Sequence, residues 1–231
     1  MVKEDFASFQ ARSADAGFSD WLRAENQATW DAMVTHRFCR DMATDRLPEA
    51  AFVRYLRYEH AFVRGAISVF AYALAKAPTA ADQDHLIRVL GALAGEQEDY
   101  FRRMFARLGL DPEPLAPDLL PEAARGLREG VLAIAAEGSF PEILAAMLAA
   151  EWMYLTWCEE AYARNPRRKA PADWIRLHVE PAFRGQVDWL KRRLDQLGAT
   201  LPVAQQTRCL ENLGRVLALE IAFHDAPYAE P

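Results

Sequence analysis

The sequence has little of what disulfide-rich, metal-binding or membrane proteins require. Its three cysteines, Cys39, Cys158 and Cys209, are widely spaced and form no CxxC pair. This pattern argues against a disulfide framework or a zinc site and favours reduced thiols in a cytoplasmic protein. The longest apolar run, residues 143–158, is shorter than the about 20 residues that span a bilayer, and Glu151 lies in its middle. We therefore expect a buried core helix there and no membrane association.

Basic residues are not in excess either. The 27 Lys and Arg residues against 33 Asp and Glu residues give a net charge of -6. A nucleic-acid-binding surface needs a clustered basic face, so no nucleic-acid partner is expected. A chain of 231 residues is still short enough to fold around one core, and we expect a single domain over residues 1–231.

What recurs along the chain is helical periodicity between start and stop signals. Pro48 is suited to the first turn of a long helix, and Thr79 with Asp82 resembles an N-terminal cap. Ser139 and Glu142 form a second capping pattern. The helices expected from these signals cover residues 19–43, 48–77, 79–109, 121–136, 139–164, 171–198 with a disturbance at Pro181, and 202 onward. The sequence thus predicts an all-α, up-and-down bundle of about seven helices.

Three glutamates fall on apolar helix faces, where a charged residue is informative. Glu151 is surrounded by apolar residues on every side of its helix, Glu220 is flanked by Leu219 and Ile221, and Glu59 lies on the apolar stripe of its own helix. A buried, unpaired carboxylate costs several kcal/mol, so each must be protonated, hydrogen-bonded or paired, or must line a wet cavity. Buried carboxyls with raised pKa values are also the groups that transfer protons near neutral pH.

Aromatic residues lie close to these glutamates in sequence. Tyr55 and Phe62 flank Glu59, and Trp152 and Tyr154 follow Glu151. Such residues can line a flat slot for an aromatic ring, with the carboxylates reaching its nitrogens. The alternative is an ordinary aromatic core in which each glutamate accepts a hydrogen bond from a facing helix. Both explanations remain open at this point.

Four segments of the chain are similar to one known family. They are His36-Arg37-Phe38, YEHAFVR at residues 58–64, GSFPEILAAML at residues 138–148 and RVLALEIAFH at residues 215–224. On these segments the chain resembles the TenA/thiaminase II family, over about residues 20–226. It implies the haem-oxygenase-like helical fold and a homo-oligomer, usually a tetramer. It also implies a hydrolase that acts on thiamin or on its aminopyrimidine breakdown products and yields hydroxymethylpyrimidine for thiamin salvage.

The same resemblance implies roles for individual residues. Glu220 matches the family's catalytic glutamate, and Ala150 stands where many members have a cysteine nucleophile. Glu151 then resembles the branch that uses a glutamate instead, so Glu151 and Glu220 are expected to be catalytic. Glu59 stands in place of an aspartate that binds the pyrimidine and is one methylene longer, which predicts a displaced or tilted ring.

The other expected substrate-binding residues surround that ring. Phe62 matches the glutamate branch, and His178 and Leu127 stand where cysteine-type members have tyrosines. The full set of expected substrate-binding residues is Glu59, Phe62, Tyr55, Trp152, Tyr154 and His178. None of these roles requires a metal or a cofactor, and none is expected.

Two other functions remain open on the sequence. One is metal-dependent oxidation, because carboxylates together with His178 and His224 are ligands of suitable hardness for iron. The usual helical pair is Glu-x-x-His, however, whereas Glu220 and His224 are four residues apart. The other is a small-ligand-binding protein of the same fold without turnover.

Overall fold

A computed structural model describes residues 4–229 of the chain, so the ends of the expected domain, residues 1–3 and 230–231, lie outside it. Within residues 4–229 there is no strand, and most connections between the helices are short, apart from residues 109–121, which contain a 3-10 turn at Pro117–Leu119. The α-helices are α1 (Phe6–Arg12), α2 (Phe18–Ala24), α3 (Gln27–Val34), α4 (Arg37–Ala43), α5 (Glu49–Lys76), α6 (Ala80–Ala92), α7 (Glu98–Leu108), α8 (Glu122–Glu137), α9 (Phe140–Ala163), α10 (Lys169–Leu177), α11 (Pro181–Gly198) and α12 (Val203–Asp225). The prediction of an all-α protein is confirmed.

Helix α9 forms the centre of the bundle. It packs against α12, α11 and α4, and every residue from 140 to 150 is buried. The carboxylate of Glu142 accepts a hydrogen bond from the Ser139 backbone N–H at 3.3 Å and one from the Arg208 guanidinium of α12 at 2.9 Å. The capping residue therefore also ties the start of α9 to α12. The apolar run is a core helix, as expected, and none of the helices within residues 4–229 is long and apolar enough to cross a bilayer.

The predicted first helix over residues 19–43 is wrong as a continuous element, and the helices within residues 4–229 outnumber the about seven expected. The structure has α2, α3 and α4 in that range, and α1 precedes them. Asn26 ends α2 because its side-chain amide donates to the carbonyl of Leu22 at 2.8 Å and to that of Leu210 at 3.2 Å. His36 starts α4, since its Nδ1 accepts from the Phe38 backbone N–H at 3.2 Å. Local polar side chains thus divide one periodic stretch into three helices.

The remaining predicted boundaries agree more closely. Thr79 Oγ1 accepts from the Asp82 backbone N–H at 3.1 Å, which confirms that cap. The helix after it contains a π-helical turn at Leu93–Gln97 and ends at Gly109, whose positive φ of 66° suits glycine. The expected disturbance at Pro181 is a full break between α10 and α11.

Gly198, the last residue of α11, packs closely against Phe18. A Cβ added at Gly198 would lie 2.1 Å from Cγ of Phe18, which is fully buried. Because the ring has no space to move, we expect Gly198→Ala to lower the free energy of unfolding by about 1–3 kcal/mol, measured by urea denaturation.

The same helix supplies the matched control for this prediction. A Cβ at Gly185 meets nothing within 4 Å, so Gly185→Ala should raise the free energy of unfolding by about 0.5–1 kcal/mol. Equal effects of the two substitutions would contradict the close approach of α11 to Phe18.

Candidate functional site

The carboxyl groups of Glu59 on α5 and Glu220 on α12 lie close enough to influence each other inside the bundle. Glu59 is 4% exposed and Glu220 is fully buried. Burial raises the pKa of Glu59 to about 8. Burial, and then the negative charge of Glu59, raises the pKa of Glu220 well above its ordinary value. Two carboxyls in one low-dielectric site cannot both ionise easily, so at least one is protonated near neutral pH.

Tyr154 on α9 bonds both Glu59 and Tyr55 on α5. The Tyr154 hydroxyl donates to Glu59 Oε2 at 3.2 Å, and this hydrogen bond partly offsets the rise in the pKa of Glu59. The hydroxyls of Tyr55 and Tyr154 are 2.7 Å apart. Because Tyr154 donates its proton to Glu59, Tyr55 is the donor in that second bond. We call Tyr55, Glu59, Tyr154, Glu220 and His224 the polar cluster.

His224 is the fifth member of the cluster and lies one turn after Glu220. Its Nδ1–H donates to the backbone carbonyl of Glu220 at 2.8 Å, and Nδ1 is 3.6 Å from Glu220 Oε2. Burial lowers the pKa of His224 to about 3. The ring is therefore neutral at physiological pH, and its Nε2 is a hydrogen-bond acceptor.

His178, expected to bind substrate, lies beside the cluster. Its ring stacks on Tyr154 at a centroid distance of 4.9 Å, and its Nδ1–H donates to the Trp174 carbonyl at 2.9 Å. Burial lowers the pKa of His178 to about 4, so this ring is also neutral. Its uncharged face packs against Tyr154, next to the hydroxyl that bonds Glu59.

Aromatic rings surround the polar cluster. Tyr55 contacts Phe38 at a centroid distance of 4.4 Å and Trp174 at 5.7 Å. Phe223, three residues after Glu220, contacts Tyr55 at 5.9 Å and Phe62 at 6.3 Å. The expected Tyr55, Phe62 and Tyr154 are thus grouped with Glu59 and Glu220. The rings give the carboxyls an apolar surrounding, which strengthens the electrostatic interaction between them.

Several buried polar atoms in and around the cluster have no hydrogen-bond partner among residues 4–229. They include both carboxyl oxygens of Glu220, His224 Nε2, and the indole nitrogens of Trp157 and Trp174. Buried polar groups are normally satisfied, so a concentration of exceptions points to a polar ligand or to ordered water. The unpartnered atoms offer both acceptors and donors, as recognition of a nitrogen heterocycle requires.

Glu151 has a different environment from the other two glutamates. It lies one turn before Tyr154 on α9 and is partly buried, with its Oε2 shielded and without a hydrogen-bond partner among the described residues. Burial raises the pKa of Glu151 to about 8, and the side-chain amide of Gln186 on α11 partly offsets that rise. Neither Glu59 nor Glu220 contributes to this shift. The structure therefore pairs Glu59 with Glu220 and places Glu151 beside Gln186.

Trp152 lies on another face of α9. Its ring contacts Trp30 at a centroid distance of 4.9 Å, and the cationic groups of Arg23 and Lys191 lie over it at 5.3 Å and 4.0 Å. These partners belong to α2, α3 and α11, and none of them is a member of the polar cluster. Trp152 thus packs between these three elements, and it is the expected substrate-binding residue that is not grouped with the cluster.

A surface groove of about 210 Å³ lies between α4 and α9. Cys39 and Trp157 are among the residues on its inner side, and Arg40 and Arg164 lie at its rim. The Trp157 ring also contacts Tyr154 at a centroid distance of 5.7 Å. Trp157 therefore lies between this solvent-accessible groove and the polar cluster.

Some residues of this arrangement are not among the expected site residues. Phe223 and His224 follow Glu220 by three and four residues, a helical spacing that places all three on one face. This spacing could have placed His224, expected only as a possible metal ligand, beside Glu220. Trp174 and Gln186 carried no such signal, and the place of Phe38 beside Tyr55 also depends on how the helices pack. Among residues 4–229, no group of three or more His, Cys, Asp or Glu residues is placed to hold a metal ion.

Comparisons with known proteins show the family to which the chain belongs. The chain matches the model of the TENA/THI-4/PQQC family over residues 23–230. It is 23% identical over 217 residues to an aminopyrimidine aminohydrolase of Halalkalibacterium halodurans, which covers 92% of this chain and 96% of that protein.

Solved structures show the same fold. A TenA homologue from Pyrococcus furiosus is 22% identical, with a TM-score of 0.84 over 91% of this chain and 100% of its own. A Shewanella denitrificans domain described as having a haem-oxygenase-like fold has a TM-score of 0.65 at 12% identity, over 90% of each chain. The chain has the haem-oxygenase-like fold and belongs to the TENA/THI-4/PQQC family.

Proposed function

We propose that this protein is a thiamin-salvage hydrolase that converts an aminomethylpyrimidine to the corresponding hydroxymethylpyrimidine and ammonia. The observation that carries the proposal is the pair of buried carboxyls, Glu59 and Glu220, with raised pKa values inside a wall of aromatic rings. A protonated carboxyl at neutral pH is the group that an amine leaving group needs. The name of the Halalkalibacterium relative supports the same substrate class.

Glu59 is suited to bind the ring. In its neutral form a carboxyl offers one O–H donor and one carbonyl acceptor side by side. A 4-aminopyrimidine presents the complementary pair, a ring nitrogen that accepts and an amino group that donates. Tyr154 fixes the Glu59 carboxyl through its 3.2 Å hydrogen bond, and Tyr55 and Phe62 supply aromatic faces for the bound ring.

Glu220 and Glu151 divide the proton transfers. Glu220, whose pKa is raised well above its ordinary value, protonates the departing amine as the carbon–nitrogen bond breaks. Glu151, whose pKa Gln186 partly lowers, accepts a proton from the water whose oxygen forms the new bond to that carbon. The amine leaves as ammonia, and the proton gained by Glu151 restores the one lost by Glu220. Unequal environments for the two carboxyls suit this division of roles.

Product analysis tests the proposal directly. Purified protein incubated with the aminomethylpyrimidine should release ammonia and hydroxymethylpyrimidine in equal amounts, without added metal, because the proton transfers are carried by side chains of the chain itself. In water enriched in oxygen-18, mass spectrometry should find the label in the new hydroxyl group.

Two results would contradict it. Saturable binding of the pyrimidine without product would identify a ligand-binding protein. Turnover that a chelator abolishes and added iron restores would favour metal-dependent oxidation instead.

We also propose that the protein works in the cytoplasm as a homo-oligomer, without a cofactor. The three reduced, buried cysteines support that location, and the family resemblance supports the assembly. Light scattering coupled to size-exclusion chromatography would distinguish a tetramer from a dimer or a monomer.

A further inference from the structure

Two side chains, His85 and Gln186, lead from the protein surface towards Glu151. His85 on α6 is half-buried, and its Nε2 lies 2.6 Å from Oε1 of Gln186 on α11. The His85 ring stacks on Trp189 with a centroid distance of 4.0 Å and an interplanar angle of 10°. The stack fixes the plane of the imidazole, and the short contact fixes the side-chain amide of Gln186.

The orientation of that amide follows from its contact with His85. An amide oxygen only accepts hydrogen bonds, so His85 Nε2 carries the proton and donates. The NH₂ end of Gln186 is then the end that is free to bind an acceptor. Gln186 Nε2 and Glu151 Oε2 are both buried, and neither has a hydrogen-bond partner among residues 4–229. The Gln186 side chain lies close enough to Glu151 to lower its pKa, so an unpartnered donor and an unpartnered acceptor occupy neighbouring positions on α11 and α9.

We propose that Gln186 is a positioning residue, which His85 orients so that its NH₂ group holds the Glu151 carboxylate in place to accept the proton of the attacking water. This inference rests on the proposed function, because it assigns Glu151 the role of base. Gln186 acts through Glu151 and need not touch the substrate. The contribution of Gln186 to the pKa of Glu151 agrees with this geometry.

Three charged groups affect the pKa of His85. Arg88 and Arg192 lower the pKa of His85 and Asp82 raises it, but burial lowers it most, so His85 is neutral at physiological pH. On the elements packed against α9, the charged or titratable side chains already described are Glu59, Glu220, His178, His224, Arg23 and Lys191, and none of them is a cause of the shift in the pKa of Glu151. A change in the titration of Glu151 after substitution of Gln186 is therefore attributable to the amide.

The test compares two substitutions of Gln186. Gln186→Leu removes the donor and should raise the pKa of the acidic limb of the kcat profile by about one pH unit, because a hydrogen bond to a charged group contributes about that much. Its kcat at pH 7 should fall about 10-fold, since fewer molecules have an ionised base at that pH. Gln186→Glu preserves the size and shape of the side chain but replaces the donor by an acceptor. Gln186→Glu should therefore raise the pKa of the acidic limb by more than Gln186→Leu does.

A purely structural role predicts the opposite order, since glutamate would restore the packing that leucine disturbs. His85→Phe keeps an aromatic ring on Trp189 but removes the hydrogen bond that orients the Gln186 amide. The pKa of the acidic limb should therefore rise in this variant too, but by less than in the two Gln186 variants. Gln205→Leu is the matched control. Its amide donates to Ser139 Oγ at 2.7 Å, at the start of α9 and outside the polar cluster, and its pH profile should match that of the unmodified protein.

A second readout separates failure of this inference from failure of the proposed function. The pKa of Glu151, measured by carbon-13 NMR of the carboxyl groups and assigned with Glu151→Gln, should rise in Gln186→Leu whether or not the pyrimidine is a substrate. Turnover of the unmodified protein with unchanged profiles in both Gln186 variants would overturn the positioning role alone. An absence of turnover, with the NMR shift present, would overturn the proposed function but retain the contact between Gln186 and Glu151.

Discussion

Replacing Glu220 by glutamine should lower kcat for hydrolysis of the aminomethylpyrimidine by about 100-fold or more, the usual effect of removing a general acid. Glutamine has nearly the shape of glutamate, so the helix and the hydrogen bond from His224 to the Glu220 carbonyl remain. It cannot transfer a proton to the departing amine. Because Glu59 and its tyrosine partners are unchanged, KM should change little. Steady-state kinetics at pH 7, with ammonia release as the signal, measures both parameters.

The same variant should unfold at a higher temperature than the unmodified protein. Glu220 is fully buried, and neither of its carboxyl oxygens has a hydrogen-bond partner among the described residues. An uncharged amide is less costly to bury than a carboxyl that can ionise. Lower activity together with higher stability is typical of a residue retained for function.

Glu142→Gln is the control for Glu220→Gln, because Glu142 is also a buried glutamate but bonds Arg208 and the start of α9. That substitution should lower stability and leave kcat unchanged. An unchanged kcat in Glu220→Gln would remove Glu220 from the mechanism.

The parts of the fold that the sequence predicts are those determined by local contacts. Thr79 and Ser139 lie within three residues of the groups they pair with, so both helix starts could be read from the chain. The break at Asn26 could not be read in this way, because one of its partners, the Leu210 carbonyl, is 184 residues away. An asparagine inside an amphipathic stretch is compatible with a continuous helix until that distant acceptor is known.

In the candidate site, too, the sequence predicts what depends on local contacts and not what depends on the packing of distant helices. Glu59 and Glu220 are conspicuous in sequence because each is an acidic residue on an apolar helix face. Their mutual proximity depends on how α5 and α12 pack around α9. Trp152 was grouped with Glu151 as its neighbour in sequence, but adjacent residues on a helix point about 100° apart and face different neighbours. Gln186 lies on a polar stretch of α11, where a glutamine gives no sign of a functional contact.

The raised pKa of Glu59 should also make stability fall as the pH rises. Its folded-state pKa is about 8, whereas an unfolded chain has a glutamate pKa of about 4.3. Between these values the folded state binds a proton that the unfolded state has lost. The free energy of unfolding therefore decreases by about 1.4 kcal/mol per pH unit for this group, is highest below about pH 4, and levels off above pH 8.

Glu59→Gln should remove this contribution. The glutamine oxygen can still accept the Tyr154 hydroxyl, so the packing of α5 on α9 is kept while the titrating group is lost. Glu59 is also one of the causes of the raised pKa of Glu220, and its replacement should bring that pKa closer to its ordinary value. Urea denaturation from pH 5 to pH 9 should show the variant gaining stability relative to the unmodified protein as the pH rises.

Coupling between the two carboxyls gives this prediction a second, independent test. If Glu59 and Glu220 interact, the stability gained at pH 8 by the double variant Glu59→Gln with Glu220→Gln should differ from the sum of the two single gains, because each single substitution already relieves the repulsion between them. Additive gains would place the two carboxyls in separate environments. Parallel pH profiles for Glu59→Gln and the unmodified protein would show that Glu59 is ionised in the folded state, and the ring-binding role that requires its neutral carboxyl would then fail.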